Sequence, residues 1–254
     1  MSSFASQAWE PGRIIITRRS GRRIYTLRNA KLGMRVVVKE FADPALGARE
    51  AAMMRACEGD PRLVRLLDFY EHDGKGYLVM EYIAGDTLTR IVNAGGPFPR
   101  RAAVVLAVEM LRGLAAIHRR EIVHGDFQAR NVMLCATGRP LVKIIDFQHA
   151  VPLDASGKAE ALRRLPKPPP ALAPETATGL IDVRYDVYGA GMILAYLVTG
   201  RHARPRRTAR RRARAADPLW RLIFKATAAD PQERFSSAEE FCEALIGLLV
   251  KNRL

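Results

Sequence analysis

An α+β fold of two lobes, a small β-rich one followed by a larger helical one, is what this sequence predicts. Three observations predict it. Residues 12–42 hold three short runs rich in β-branched and aromatic residues: RIIIT (13–17), RRIYTLR (22–28) and MRVVVKEF (34–41). Turn candidates at Ser20-Gly21 and Leu32-Gly33 separate them, as expected of successive strands. One helical stretch then interrupts the strands, and after Gly85 the apolar spacing changes to that of long helices.

Each element follows in order. Asp43-Pro44 sets a cap residue before a proline at the first helical position, so a helix runs through ALGAREAAMMRACEG and ends near Gly59. RLVRLLDFYEHDGKGYLVMEY (62–82) reads as two strands around a turn at Asp73-Gly74. A connector occupies about 81–86. RRAAVVLAVEMLRGLAAIHRR (100–120) has apolar residues at helical spacing and begins just after Pro99. Short strands at VML and LVKIID bracket a polar loop, and a proline-rich loop, RRLPKPPPALAPE (163–175), follows. The rest is helical: DVRYDVYGAGMILAYLV, PLWRLIFKATA and SSAEEFCEALIGLLVK. The expectation is one domain over 1–254, with an N-terminal lobe at 12–82 and a C-terminal lobe at 87–250.

Composition bounds the function classes. Hydrophobic content of 48% over 254 residues is enough for a large core and argues against disorder. Cys57, Cys135 and Cys242 form no pair or metal-ligand spacing, which suits a reducing compartment. The N-terminal stretch MSSFASQAWEPGR lacks the apolar core of a secretory signal. AAVVLAV (102–108) and GAGMILAYLV (189–198) fall short of the roughly 20 residues a membrane helix needs. A cytoplasmic protein is expected, or one delivered into a host cell if the mostly arginine basic residues mark a GC-rich bacterial effector. The 41 basic against 26 acidic residues leave a net charge of +15. That charge is either a solvated basic face or an attraction for acidic partners.

Five polar residues carry the chemistry. Lys39 ends a β-branched run and can reach a cleft beneath its strand; Glu50, on the following helix, can pair with it. Asp126 and Asn131 share one loop, HGDFQARN, and Asp146 ends the run VKIID. Carboxylate and amide oxygens are the hard ligands that Mg²⁺ takes, through few protein groups plus substrate phosphates. A lysine held by a glutamate offers phosphate oxygens a point charge. Together they suit phosphoryl transfer, where catalysis is largely positioning and charge neutralisation.

At these residues the chain resembles a protein kinase of the eukaryotic-like Ser/Thr superfamily, over about residues 12 to 250. VVVK resembles the VAIK strand, HGDFQARN the HRD catalytic loop and DFQ (146–148) the DFG motif, while APE (173–175) is intact. The resemblance implies a bilobal fold with an antiparallel-sheet N-terminal lobe, and ATP with Mg²⁺ (or Mn²⁺) as cofactors. It makes Asp126 the base or orienter for the acceptor hydroxyl, Lys39 and Glu50 the phosphate-holding pair, and Asn131 and Asp146 the metal ligands. It implies nucleotide contacts from Gly21, Ile24, Val37, Glu81, Ile83, Asp86 and Met133, with Met80 as gatekeeper. DVYGAG (186–191) resembles the helix that anchors the catalytic loop, and Arg234 would pair with Glu175.

The chain departs from the pattern at four places. TRRSGR (17–22) keeps only Gly21 of the glycine-rich loop, so Arg18, Arg19 and Arg22 would replace backbone amides at the phosphates. Gly125 stands where many kinases have the arginine that reads an activation-loop phosphate. Between Phe147 and Ala173 the one hydroxyl side chain is Ser156, so activity without activation-loop phosphorylation is the expectation. Gln148 replaces the glycine of DFG and should stiffen it, and Val37 narrows the adenine pocket.

Three readings follow. The first is a protein kinase acting on serine or threonine, although Gln128 stands where typical Ser/Thr kinases have lysine, ARN (129–131) resembles the ending of the tyrosine-kinase loop, and HGD occurs in small-molecule phosphotransferases. The second is a pseudokinase serving as a scaffold, and the third a small-molecule phosphotransferase of the aminoglycoside-kinase type. RHARPRRTARRRAR (201–214) holds eight arginines without interleaved aromatics, which suits an acidic protein substrate or an anionic membrane surface better than nucleic acid. Of the histidines, His118 is expected to pack at its helix end and His124 to support the catalytic loop.

Overall fold

The structure, a computed structural model, describes residues 10–17, 23–29, 33–136, 138, 141–162, 172–201 and 216–251. Gly21 and its neighbouring arginines, PKPPP and residues 202–214 of the arginine-rich segment lie outside the described residues.

The upper lobe is a five-stranded antiparallel sheet. Its strands are β1 (Glu10–Thr17), β2 (Arg23–Asn29), β3 (Met34–Phe41), β4 (Leu66–His72) and β5 (Lys75–Glu81), ordered β1-β2-β3-β5-β4. Alternation along β3 assigns its two faces. Val36 and Val38 are fully buried with Val79 on one face, beside Leu27, Tyr70 and Tyr77. Val37, Lys39 and Phe41 point the other way, toward the lower lobe, and Phe41 joins the main core there.

α1 (Pro44–Ala56) packs on that second face. Asp43 caps it, its carboxylate accepting from the Ala45 amide at 3.0 Å, and Pro44 occupies the first turn. Gly47, Glu50, Ala51 and Met54 form its buried stripe at the i, i+3, i+4, i+7 spacing. The helix closes at Ala56, short of the expected Gly59: the backbone leaves helical geometry at Cys57, with φ −97° and ψ 6°, and the Glu58 amide turns back onto the Arg55 carbonyl at 3.2 Å.

The lower lobe is mainly helical: α2 (Leu88–Gly95), α3 (Arg100–His118), α4 (Val183–Thr199), α5 (Pro218–Ala226) and α6 (Ala238–Val250). Side-chain oxygens of Thr87, Asp182, Asp217 and Ser237 cap α2, α4, α5 and α6 in turn, satisfying amides that the first helical turn leaves open. Short strands line the junction of the lobes: β6 (Gly85–Thr87), β8 (Val132–Cys135) and β9 (Val142–Ile144) make one three-stranded sheet. β7 (Ile122–Val123) pairs with β10 (Val151–Pro152), and β11 (Ala159–Glu160) with β12 (Leu180–Ile181).

One buried apolar cluster crosses from lobe to lobe, from Phe41, Met54 and Leu78 through Leu111 and Ile144 to Leu194 and Leu245. Glu175 and Arg234 make a two-pronged ion pair at 2.5 and 2.8 Å, with the Arg234 side chain fully buried. Among the described residues no helix is long and apolar enough to cross a membrane.

Candidate active site

β3, α1 and two loops of the lower lobe meet at one cleft. Because β3 alternates, Lys39 emerges on the face that α1 covers, and the Glu50 carboxylate holds its ammonium with both oxygens at 2.8 Å. Both side chains are almost wholly buried, so the pair offsets desolvation that neither charge would bear alone. The same ammonium donates to Asp146 Oδ1 at 2.8 Å, linking residues 107 positions apart across the two lobes.

Asp146 does not end a strand, contrary to the reading of VKIID. β9 stops at Ile144, and Asp146 sits at φ +68°, a left-handed conformation that an extended strand excludes. That turn brings its carboxylate, which is 22% exposed, to Lys39.

The loop carrying Asp126 is built on α4. Asp186, fully buried, accepts from the His124 amide at 2.7 Å, the Gly125 amide at 3.1 Å and His118 Nε2 at 3.1 Å. His118 therefore does more than pack at its helix end: it is a polar partner of Asp186. His124 is buried between Phe127 and Phe147, with ring centroids 5.7 and 5.4 Å away, and its Nδ1 accepts from the Asp126 amide at 3.4 Å. α4 can lie this close because Gly189 faces the loop; a Cβ there would stand 2.4 Å from the Phe127 carbonyl oxygen.

At the loop's far end the 3₁₀ turn Ala129–Asn131 returns Asn131 to Asp126. Asn131 Nδ2 donates to the Asp126 carbonyl at 2.8 Å and to its Oδ2 at 2.9 Å. Arg130 Nη2 lies 2.9 and 3.1 Å from the two Asp126 oxygens, and Gln128 Nε2 donates to Oδ1. Arg130 Nη1 donates to Gln128 Oε1 at 2.5 Å, so the three side chains form a closed set around one carboxylate.

Gly125 has a structural reason. It lies at φ +74°, and a Cβ there would stand 2.3 Å from the His149 carbonyl oxygen. The residues after Asp146 are laid directly against it, and they are held in register by β7–β10 pairing and by the Leu153 amide donating to the Glu121 carbonyl at 2.7 Å. His149, which the sequence left unplaced, sits here with its Nε2 2.6 Å from Gln148 Nε2.

The other expected contact residues surround this cluster. Ile24 is the β2 partner of Lys39, Val37 pairs with Met80 on β5, and Met133 lies on β8 opposite Thr87. Ile83 is buried in the connector. Asp86 accepts from the Thr87 amide at 3.0 Å and faces the Arg90 guanidinium at 3.3 Å. Glu81 sends its side chain away from this cluster: its Oε1 accepts from Lys143 Nζ at 2.5 Å and from the Arg65 amide at 2.8 Å. Gly21 lies outside the described residues.

The residues fit a divalent cation arriving with phosphates. Asn131 Nδ2 is turned to Asp126, and the Asn131 carbonyl accepts from the Ile145 amide at 2.9 Å, which lays the residue preceding Asp146 against this loop. Among the described residues no group of three or more His, Cys, Asp or Glu makes a protein-only metal cage. Two oxygen donors beside a lysine suit Mg²⁺, which completes its shell from phosphate and water.

Sequence reading placed the loop's anchor in the helix at 186–191 without singling out the Asp186 side chain, and it missed the Arg130 grip on Asp126 and the Lys143–Glu81 pair behind the connector. Asp186 was findable, since a carboxylate inside an apolar helical run must be paired to be buried.

Fold and site together define a two-lobed α+β protein with a lysine–glutamate pair in its upper lobe and an aspartate–asparagine loop below. The chain belongs to the protein kinase family: the protein kinase domain matches residues 20–254. It is similar to the serine/threonine-protein kinase pkn2 of Myxococcus xanthus, 30% identical over 252 residues, covering 87% of this chain and 30% of that protein. Serine/threonine-protein kinase PknB of Mycobacterium leprae is 29% identical over 251 residues, covering 88% of this chain and 40% of that protein. Serine/threonine-protein kinase PkaA of Streptomyces coelicolor is 33% identical over 199 residues, covering 73% and 36% respectively. The chain thus spans 30% to 40% of the length of these relatives.

Proposed function

We propose that residues 1–254 form one catalytic domain that transfers the γ-phosphoryl group of ATP to a protein hydroxyl, on serine or threonine. The observation that carries this reading is the joining of Lys39, Glu50 and Asp146 by 2.8 Å contacts, beside the loop that fixes Asp126 against Asn131. Lys39, aligned by Glu50, binds phosphate oxygens. Asp126 accepts from the incoming hydroxyl and orients it, its carboxylate itself held by donors from Gln128, Arg130 and Asn131. Mg²⁺, held by Asn131 and Asp146, would neutralise charge on the phosphates when bound. Ile24, Val37, Ile83 and Met133 supply the apolar walls of an adenine site, with Glu81 and Ile83 backbone groups at its edge and Asp86 toward the ribose.

Activity without activation-loop phosphorylation is part of the proposal. Ser156, the one hydroxyl in that stretch, donates to Asp154 Oδ1 at 2.7 Å within its own turn. The arginine-rich segment at 201–214 is proposed to dock acidic stretches of the substrate, so turnover should fall steeply with added salt.

The test uses γ-labelled ATP, Mg²⁺ and a cell extract, with Asp126→Ala and Ser156→Ala run beside the parent. Label is expected in acid-precipitable protein, falling about 10²–10⁴-fold in Asp126→Ala and unchanged in Ser156→Ala. Label confined to small molecules would replace the protein acceptor with a metabolite. No Asp126-dependent transfer to either would overturn the enzymatic reading in favour of a scaffold.

A further inference from the structure

We infer that Arg49 is a positioning residue that ties α1, and with it the Lys39–Glu50 pair, to the backbone following Asp146. α1 packs on β3, β4 and β5 of its own lobe. Besides the apolar contacts of Ala51 and Met54 in the shared core, it reaches the lower lobe through Arg49, whose Nη2 donates to the Ala150 carbonyl at 2.9 Å across 101 residues. Arg49 and Glu50 are neighbours about 100° apart on the helix. One turns to the ammonium of Lys39 and the other to the segment below, so α1 cannot rotate or lift without breaking both contacts.

The carbonyl that Arg49 grips is itself fixed. Ala150 is fully buried, its amide donates to the Phe147 carbonyl at 3.0 Å, and Val151 beside it pairs with Val123. The preceding carbonyl, that of His149, is the one pressed against Gly125. The backbone from 147 to 153 is therefore held from both lobes, by the Arg49 guanidinium above and by main-chain pairing below, with no charge contributed by a modified side chain. A guanidinium on a main-chain carbonyl is a contact present as soon as the chain folds. It provides the ordering without which Glu50 would leave Lys39.

This inference rests on the kinase reading for its effect on turnover, but not for its effect on backbone order. The experiment compares the full chain with Arg49→Ala and Arg49→Lys, following steady-state transfer and amide hydrogen exchange. Arg49→Ala is expected to lower kcat at least about tenfold with KM for ATP within about threefold. It should also speed exchange in 147–153, the Leu153 amide included, while α3 and α4 keep their protection. Arg49→Lys, which retains one donor, should recover both. Full kcat in Arg49→Ala would overturn the inference, as would a lowered kcat with unchanged protection of 147–153. If exchange rises as described but the parent chain transfers no phosphate, the tie stands and the kinase reading falls.

Discussion

Gly125→Arg is expected to abolish phosphoryl transfer rather than to restore a lost regulatory arginine. The position is left-handed at φ +74°, and the atom that a Cβ would meet at 2.3 Å is a main-chain oxygen, which no rotamer change can move. Either the catalytic loop or the segment from 147 to 152 must shift. Both shifts damage the site: the first displaces the Gly125 and His124 amides from Asp186, and the second takes Ala150 from Arg49. A misplacement of about 1 Å costs on the order of 10²-fold in rate. The overpacking adds about 1–3 kcal/mol of destabilisation. Loss of transfer and a melting temperature lower by several degrees would bear this out, and Gly125→Ala should move both in the same direction. An active Gly125→Arg chain would show that the segment yields and that the glycine is not required by it.

Asp186→Ala is expected to have the larger effect on stability. Its carboxylate is fully buried and receives two backbone amides and the His118 imidazole, and the fully buried His124 is among the donors left without it. Removing one partner of such a buried set costs about 3–5 kcal/mol. For a chain of this size that is a fall in melting temperature on the order of 10 °C. Asp186→Asn keeps one acceptor oxygen and should fall about half as far. Transfer should be lost in both, because the amides that set the Asp126 loop are released. Calorimetry at neutral pH, together with the labelled-ATP assay, checks both effects.

These expectations draw on parts of the molecule that were legible to different degrees. β3 and α1 were plain, because alternation of Val36, Val37 and Val38 and the Asp43-Pro44 start are local signals. The pairs β7–β10 and β11–β12 were not, since two residues carry no period and form only where the chain has already been brought together. α2 was similarly hidden behind the general change of character after Gly85. In the site, the meeting of Lys39 with Asp146 was readable from motif order but not from spacing or propensity. The turn at Asp146 ran against its sequence: VKIID is a strand by composition, and tertiary contacts with Lys39 override that at its last residue. Gly125 was legible as a departure from the pattern, but its steric reason was not, because that is a carbonyl that lies 24 residues further on.

The apolar cluster shared by the two lobes has a thermodynamic consequence. A cleft between independently stable halves could open by melting either half, and a ligand in it would protect only its own walls. Here Phe41 and Met54 above belong to the same buried body as Leu194 and Leu245 below. Unfolding either lobe strips the other of its packing, so the free energy of any ligand that binds in the cleft at Lys39 would be felt as far away as α6.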